Sequence, residues 1–373
     1  MPKKTDEDWM SFSLRLASRG RHAVSPNPMV GACVVRKNRL IACGYHKKFG
    51  GPHAERLALD RAGKRTRGAT LYVTLEPCGT WKKTPPCAPL IVERGIKKVV
   101  IGSLDPNPAN HGKGLRYLRA AGVSVRTGIL SEQVRSQNEG FFSLMTRRRP
   151  FVTLKMAQTM DGKIATRKGK SRWISSPPSR DFVHKLRARQ DAVMVGKNTF
   201  LEDDPRITVP PKSKCFKCGK PWKIVMVSRE FCRPNARVFD DSRMTVMVCP
   251  RSQVADMMDR FRKLKGNIIL LPVKDKKGRL DIADLLEKLG GMGVSKLLVE
   301  GGGEFAWSLI KAGCVDRAFW ILSPKIFGGR NARTSVEGTG VGDPESAYFL
   351  KTKKVITSGS DWIFEGTIVQ NKK

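Results

Sequence analysis

Two layered α/β domains are predicted for this chain, on three observations. Its 373 residues exceed one ordinary domain. Apolar strand-like runs alternate with helical periodicity along most of its length, the pattern of a layered α/β fold. Arg147-Arg148-Arg149-Pro150 interrupts that alternation, which sets the expected domains at 1–147 and 148–373.

In the first domain, residues 8–20 read as an amphipathic helix with Trp9, Phe12, Leu14 and Leu16 on its apolar side. Strands near 29–36 and 40–45 flank a Lys37-Asn38 turn. A helix over 53–62, a strand over 70–75 and a helix over 87–94 follow. A strand over 97–102, a helix near 112–121 and a strand near 123–127 complete the domain. In the second, strand 151–157, helix 178–188 and strand 191–196 open another α/β unit. Strands near 223–228, 244–249, 267–271 and 296–300 continue it, with helices near 253–263, 280–289 and 303–312. A polar excursion from Pro210 to Pro221 reads as an exposed loop or hairpin.

Hydrophobic residues make up 40% of the chain, enough for two cores. The N-terminus lacks the apolar stretch of a signal peptide, and no apolar run is long enough to span a bilayer. Nine scattered cysteines do not suit a disulfide scaffold, and Cys33 and Cys249 fall in strand-like runs where a buried thiol is expected. A reducing cytoplasm is the expected compartment. The net charge of +37 admits either nucleic acid or anionic small molecules as partners. Lys and Arg are spread along the whole chain and aromatics are only 7%, so a stacking face for nucleic acid is not favoured. Phosphorylated small molecules, or a basic bias shared across the proteome, account for the charge more simply.

Pro52-His53-Ala54-Glu55 starts a helix, Glu76-Pro77-Cys78 follows a strand, and Pro85-Pro86-Cys87 starts another helix. Alone, each residue reads as a surface histidine or a core cysteine. In this order they fit a catalytic zinc site, with His53, Cys78 and Cys87 as ligands and a fourth position left for water. Helix N-termini favour thiolate over thiol. Glu55, two residues from His53 on the same turn, is placed to carry protons. His-x-Glu with paired Pro-Cys is the signature of nucleobase deaminases.

Eight residues separate Cys78 from Cys87, whereas nucleic-acid and free-nucleoside deaminases usually have two. The loop Gly79-Thr80-Trp81-Lys82-Lys83-Thr84-Pro85-Pro86 resembles the deaminase domain of the bifunctional riboflavin-biosynthesis deaminase/reductase family. Pro26-Asn27-Pro28, Gly44-Tyr45-His46 and Asp105-Pro106-Asn107-Pro108 agree with it. The resemblance implies a cytidine-deaminase-like three-layer fold, a substrate pocket lined by Asn27, His46, Asp105 and Asn107, and a substrate contact from Lys83. Thr80 and Lys82 stand where the family loop has His and Gly.

Further along come Lys155-Met156-Ala157-Gln158-Thr159-Met160-Asp161-Gly162, Trp173-Ile174-Ser175-Ser176, Asp203-Asp204-Pro205 and Val299-Glu300-Gly301-Gly302-Gly303. The last would deliver Glu300 from a buried strand and let glycine amides approach a phosphate at a helix start. The ordered set, with Ser323-Pro324-Lys325 near the end, resembles the reductase half of the same family, which is similar in fold to dihydrofolate reductase. It implies NADPH-dependent reduction of a ribosyl to a ribityl group. Ala157, Trp173, Thr199, Asp203, Ser228, Gly302 and Gly303 match cofactor positions, and Ser171, Arg187, Ile207 and Glu300 match substrate positions. Pro210 occupies the place of a family Arg, with Arg206 four residues before it.

The expectation is a cytoplasmic, homo-oligomeric bifunctional enzyme using Zn2+ and NADPH on a phosphorylated pyrimidine. Two alternatives stand beside it: a deaminase with a degenerate reductase domain, suggested by Pro210, and a nucleic-acid-binding protein or RNA deaminase, suggested by the charge. Cys215-Phe216-Lys217-Cys218 is half of a zinc-ribbon pattern without a second pair. His22, His111 and His184 read as ordinary surface or satisfied histidines.

Overall fold

The computed structural model describes residues 3–21, 23–80, 85–209, 221–228, 235–240, 242–264, 266–276 and 278–370. Lys82, Lys83, Pro210, Cys215, Cys218 and His22 lie outside the described residues. The chain divides into two compact units, Met1–Arg148 and Arg149–Lys373. Among the described residues no helix is long and apolar enough to cross a membrane.

The first unit opens with α1 (Asp6–Ala17), whose start is fixed by a capping box. The Thr5 side chain accepts from the Asp8 amide, and the Asp8 carboxylate accepts from the Thr5 amide at 2.8 Å. Strands β1 (Gly31–Arg36) and β2 (Arg39–Tyr45) form the expected hairpin, with Lys37 and Asn38 both at positive φ as a tight hairpin turn requires. Then come α2 (Ala54–Ala62), β3 (Thr70–Leu75), α3 (Cys87–Glu93), β4 (Lys98–Ser103), α4 (Lys113–Ala120), β5 (Ser124–Thr127), α5 (Ser131–Gln137) and α6 (Glu139–Arg147). The sheet runs β2-β1-β3-β4-β5, antiparallel at the hairpin side and parallel from β3 onward.

Strand alternation sorts the apolar residues onto two faces. Ala32 and Val34 join Ala58, Leu59, Ile91 and Leu118 beneath α2, α3 and α4. Cys33 and Val35 join Trp9, Met10 and Tyr72 beneath α1. The result is three layers, and it leaves the starts of α2 and α3 beside the ends of β2 and β3.

In the second unit, β6 (Phe151–Thr159), α7 (Pro177–Arg187), β7 (Ala192–Val195), α8 (Lys197–Asp203), β8 (Trp222–Met226), β9 (Thr245–Pro250), α9 (Val254–Arg262) and β10 (Ile268–Val273) follow the sequence pattern, with α8 additional. A small ladder of β11 (Asp275–Lys276) and β12 (Arg279–Leu280) precedes α10 (Ile282–Gly291), β13 (Lys296–Glu300) and α11 (Gly303–Lys311). The unit closes with β14 (Arg317–Ser323), β15 (Tyr348–Ser358) and β16 (Asp361–Gln370), none of which the sequence pattern resolved. The nine-stranded sheet runs β10-β9-β8-β7-β13-β6-β14-β16-β15 and is parallel except at its last two strands. Its inner strands are apolar on both sides, as a sheet covered on both faces must be. Arg149 anchors the start of the unit through two bonds to Asp316, at 2.7 and 2.9 Å, and Asp316 also accepts from the Val152 amide.

Candidate metal centre and reductase cavity

In the first unit His53 is the N-cap of α2 and Cys87 is the first residue of α3. Cys78 lies three residues past β3. The His53 Nδ1 stands 3.6 Å from the Cys78 Sγ and 3.4 Å from the Cys87 Sγ, and the three donor atoms all lie within 4.8 Å of one another. The Cys87 amide donates to the Cys78 Sγ at 3.3 Å. Hydrogen bonding from Cys87 draws the Cys78 thiol down to about 4, while the same contact and burial push Cys87 up. Two sulfurs and an imidazole this close carry both thiolates only with a cation among them, and this donor set suits zinc.

Glu55 sits in the first turn of α2 and is 3% exposed. Burial raises its carboxyl pKa, and the charge of His53 opposes the rise. A cavity of about 540 Å³ opens on this centre, lined by Asn27, His46, His53, Glu55, Cys78, Asp105 and Asn107 among others. The Asn27 Nδ2 lies 3.3 Å from the His46 Nε2, and the His46 Nδ1 lies 3.1 Å from the Pro52 carbonyl. That carbonyl only accepts, so Nδ1 carries the proton and Nε2 accepts from the Asn27 amide. Burial holds the pKa of His46 below its ordinary value, which keeps this neutral tautomer. Glu76, Asn110, Phe141 and Met145 also line the cavity, as does Thr80, whose buried hydroxyl has no hydrogen-bond partner.

The second unit holds a cavity of about 410 Å³ where β6, β7 and β13 meet α7. Ala157, Ser171, Trp173, Arg187, Thr199, Asp203, Ile207, Glu300 and Gly302 all line it. Gly303 lines a recess of about 60 Å³ that shares Ser171, Thr199, Asp203 and Gly302 with the larger cavity. Ser228, which follows β8, lines neither.

The Arg187 guanidinium grips Glu300 through two parallel bonds, Nε to Oε1 at 2.6 Å and Nη2 to Oε2 at 2.7 Å. Burial alone would raise Glu300, but Arg187 and then Lys155 outweigh it and hold the carboxyl down at about 2. Lys155, opposite Glu300 in the β6–β13 ladder, is lowered by burial despite that partner. The Ser171 hydroxyl donates to Asp203 at 2.8 Å. Trp173 is 61% exposed with the Arg180 guanidinium 4.5 Å from its ring centroid. Gly301 and Gly302 have φ of 74° and 82°, and a Cβ on Gly301 would meet the Thr199 hydroxyl at 2.9 Å. The backbone therefore comes close to Thr199 just where α11 begins, a cradle suited to phosphate.

Comparison with known proteins bears directly on both sites. Residues 150–364 match the family model of the RibD C-terminal domain, and residues 3–103 match the cytidine and deoxycytidylate deaminase zinc-binding region. The riboflavin biosynthesis protein RibD of Aquifex aeolicus (strain VF5) is 38% identical over 365 residues, covering 97% of this chain and 98% of that one. Its counterpart in Actinobacillus pleuropneumoniae is 37% identical over 366 residues, covering 98% and 96%. The chain belongs to the RibD family.

It is accordingly a bifunctional enzyme of riboflavin biosynthesis with deaminase and reductase activities, and its first unit is a zinc-binding deaminase domain. Among solved RibD structures, that of Acinetobacter baumannii (form 2) superposes with a TM-score of 0.85 at 30% identity, over 98% of this chain and 99% of that one. A diaminohydroxyphosphoribosylaminopyrimidine deaminase/5-amino-6-(5-phosphoribosylamino)uracil reductase from Thermotoga maritima gives 0.82 at 34% identity, over 98% and 99%. The RibD fold thus spans both units. Sequence reasoning gave no site role to Lys155, Arg180 or His184, which line the reductase cavity. Arg180, Val183, His184 and Arg187 share one face of α7, a spacing visible in the sequence once that face is known to be the inner one. His184, expected as an ordinary surface or satisfied histidine, lines the cavity, its pKa lowered by burial and by the charge of Arg187.

Proposed function

We propose that the first cavity hydrolyses the exocyclic amine of 2,5-diamino-6-(ribosylamino)pyrimidinone 5′-phosphate. The second would then reduce the ribosyl group of the deaminated product to ribityl with NADPH. The observation that carries the reading is the close approach of His53, Cys78 and Cys87 with buried Glu55 on the same turn as His53. These ligands would hold zinc, which when bound supplies a Lewis acid for activating water. Glu55 accepts one proton of the attacking water and delivers it to the ring nitrogen. It then takes the remaining hydroxyl proton and delivers it to the leaving amine, so that the C–N bond breaks, ammonia leaves and a carbonyl remains. His46, Asn27, Asp105 and Asn107 orient the pyrimidine by hydrogen bonds, and Lys83 contributes a cation.

In the second cavity and its adjoining recess Ala157, Trp173, Thr199, Asp203, Gly302 and Gly303 would hold NADPH, which when bound supplies the hydride for C1′. Ser228 lies outside both and is not part of this set. Ser171, Arg187, Ile207 and Glu300 line the substrate side. Lys155 holds its proton less tightly than a surface lysine does, because burial disfavours its charge. It is placed to protonate the sugar oxygen as the ring opens. The test is Glu55→Gln, which retains zinc while ammonia release falls by about a hundredfold or more. Turnover at the wild-type rate would overturn the assignment.

A further inference from the structure

The loops that build the deaminase cavity are tied to one another by two buried polar side chains. Asn110 is 1% exposed. Its Oδ1 accepts from the Gly79 amide at 2.9 Å, next to Cys78, and its Nδ2 donates to the Asp105 Oδ2 at 2.9 Å. The orientation is forced by the partners, since an amide N–H only donates and a carboxylate only accepts. The other oxygen of Asp105 accepts from the Asn107 amide at 2.9 Å. Glu76 reinforces the arrangement by accepting from the backbone amides of Asp105, Gly112 and Leu115 at 3.2, 3.0 and 3.1 Å. The start of α4 lies flat on this segment: a Cβ on Gly114 would stand 1.9 Å from the Pro77 carbonyl oxygen.

We propose that Asn110 is a positioning residue for deamination, fixing Asp105 and Asn107 at one spacing from the Cys78 segment. The proposal rests on the reading of Asp105 and Asn107 as substrate contacts. Asn110 borders the cavity, but both polar atoms of its side chain are engaged by Asp105 and by the Gly79 amide, so its removal changes where the substrate sits rather than whether metal binds. Of the natural side chains of this size, only an amide can donate to Asp105 and accept from Gly79 at once. Aspartate has the same shape but sets a second carboxylate against Asp105.

The experiment compares Asn110→Ala, Asn110→Asp and Asn107→Ala in the full chain, following ammonia release and zinc content. Asn110→Ala is expected to keep its zinc and to raise KM by about tenfold. Asn110→Asp should raise KM further than alanine does, although it fills the same space as asparagine. A purely packing role predicts the reverse order for the two variants and would overturn the proposal. So would an unchanged KM, or activity that falls only in proportion to lost zinc. If Asn107→Ala raises KM and Asn110→Ala does not, positioning alone fails. If Asn107→Ala leaves KM unchanged, the substrate-contact reading itself fails and takes the proposal with it.

Discussion

At the scale of single residues, the Arg187–Glu300 pair is the most tightly determined feature of the reductase cavity. Its side chains are 21% and 9% exposed, and a buried pair that loses one partner leaves the other charge without compensation. Glu300→Gln should therefore destabilise the second unit by roughly 3 kcal/mol at neutral pH, measured by denaturant unfolding. The sign of its pH dependence follows from a folded pKa near 2 against an ordinary 4.5. The stabilising contribution is complete above about 4.5 and is lost as pH falls towards 2. The gap between wild type and Glu300→Gln should close over that interval, and a gap that widened there would refute the account. His53, Glu55, Cys78 and Cys87 were legible because their chemistry is carried by spacing within a few short motifs. Asn110 was not, because its importance comes from facing Gly79 across 31 residues of sequence.

At the scale of elements, the sequence pattern found those whose apolar residues repeat and missed those whose residues do not. Helix α5 buries only Val134 among its seven residues, so it has no stripe to read. Strand β15 is mostly exposed and carries Lys351, Lys353 and Lys354, which hides its alternation. The junction of α5 and α6 nonetheless shapes the deaminase cavity. Buried Asn138 accepts from the Met29 amide at 2.7 Å and donates to the Met29 carbonyl at 3.1 Å, holding the segment that carries Asn27. Asn138→Ala strands both backbone groups, with an expected loss of about 2 kcal/mol in the stability of the first unit. A thermal midpoint indistinguishable from wild type would show that water replaces the clamp. The cap of α1 is a smaller case: Thr5→Ala should cost about 1 kcal/mol by the same measurement.

At the scale of the molecule, a charge of +37 draws phosphorylated ligands in and should be screened by salt. KM for the phosphorylated pyrimidine is expected to rise with ionic strength, while its dephosphorylated form should show a weaker dependence. Removing zinc with a chelator should abolish ammonia release yet leave NADPH oxidation with the deaminated substrate intact, because the two sites draw their residues from separate units. The two units also differ in when their sites can exist during synthesis. The metal ligands lie within one short stretch from His53 to Cys87, and the first unit has all its residues once Arg148 is made. The reductase cavity needs Glu300 to meet Arg187, and α7 is held at its start by Asp361, whose carboxylate accepts from the Ser176 amide at 2.7 Å. A ribosome must therefore release nearly the whole chain before that clamp can close. Truncation late in the message should cost reduction first, leaving a product that can still deaminate.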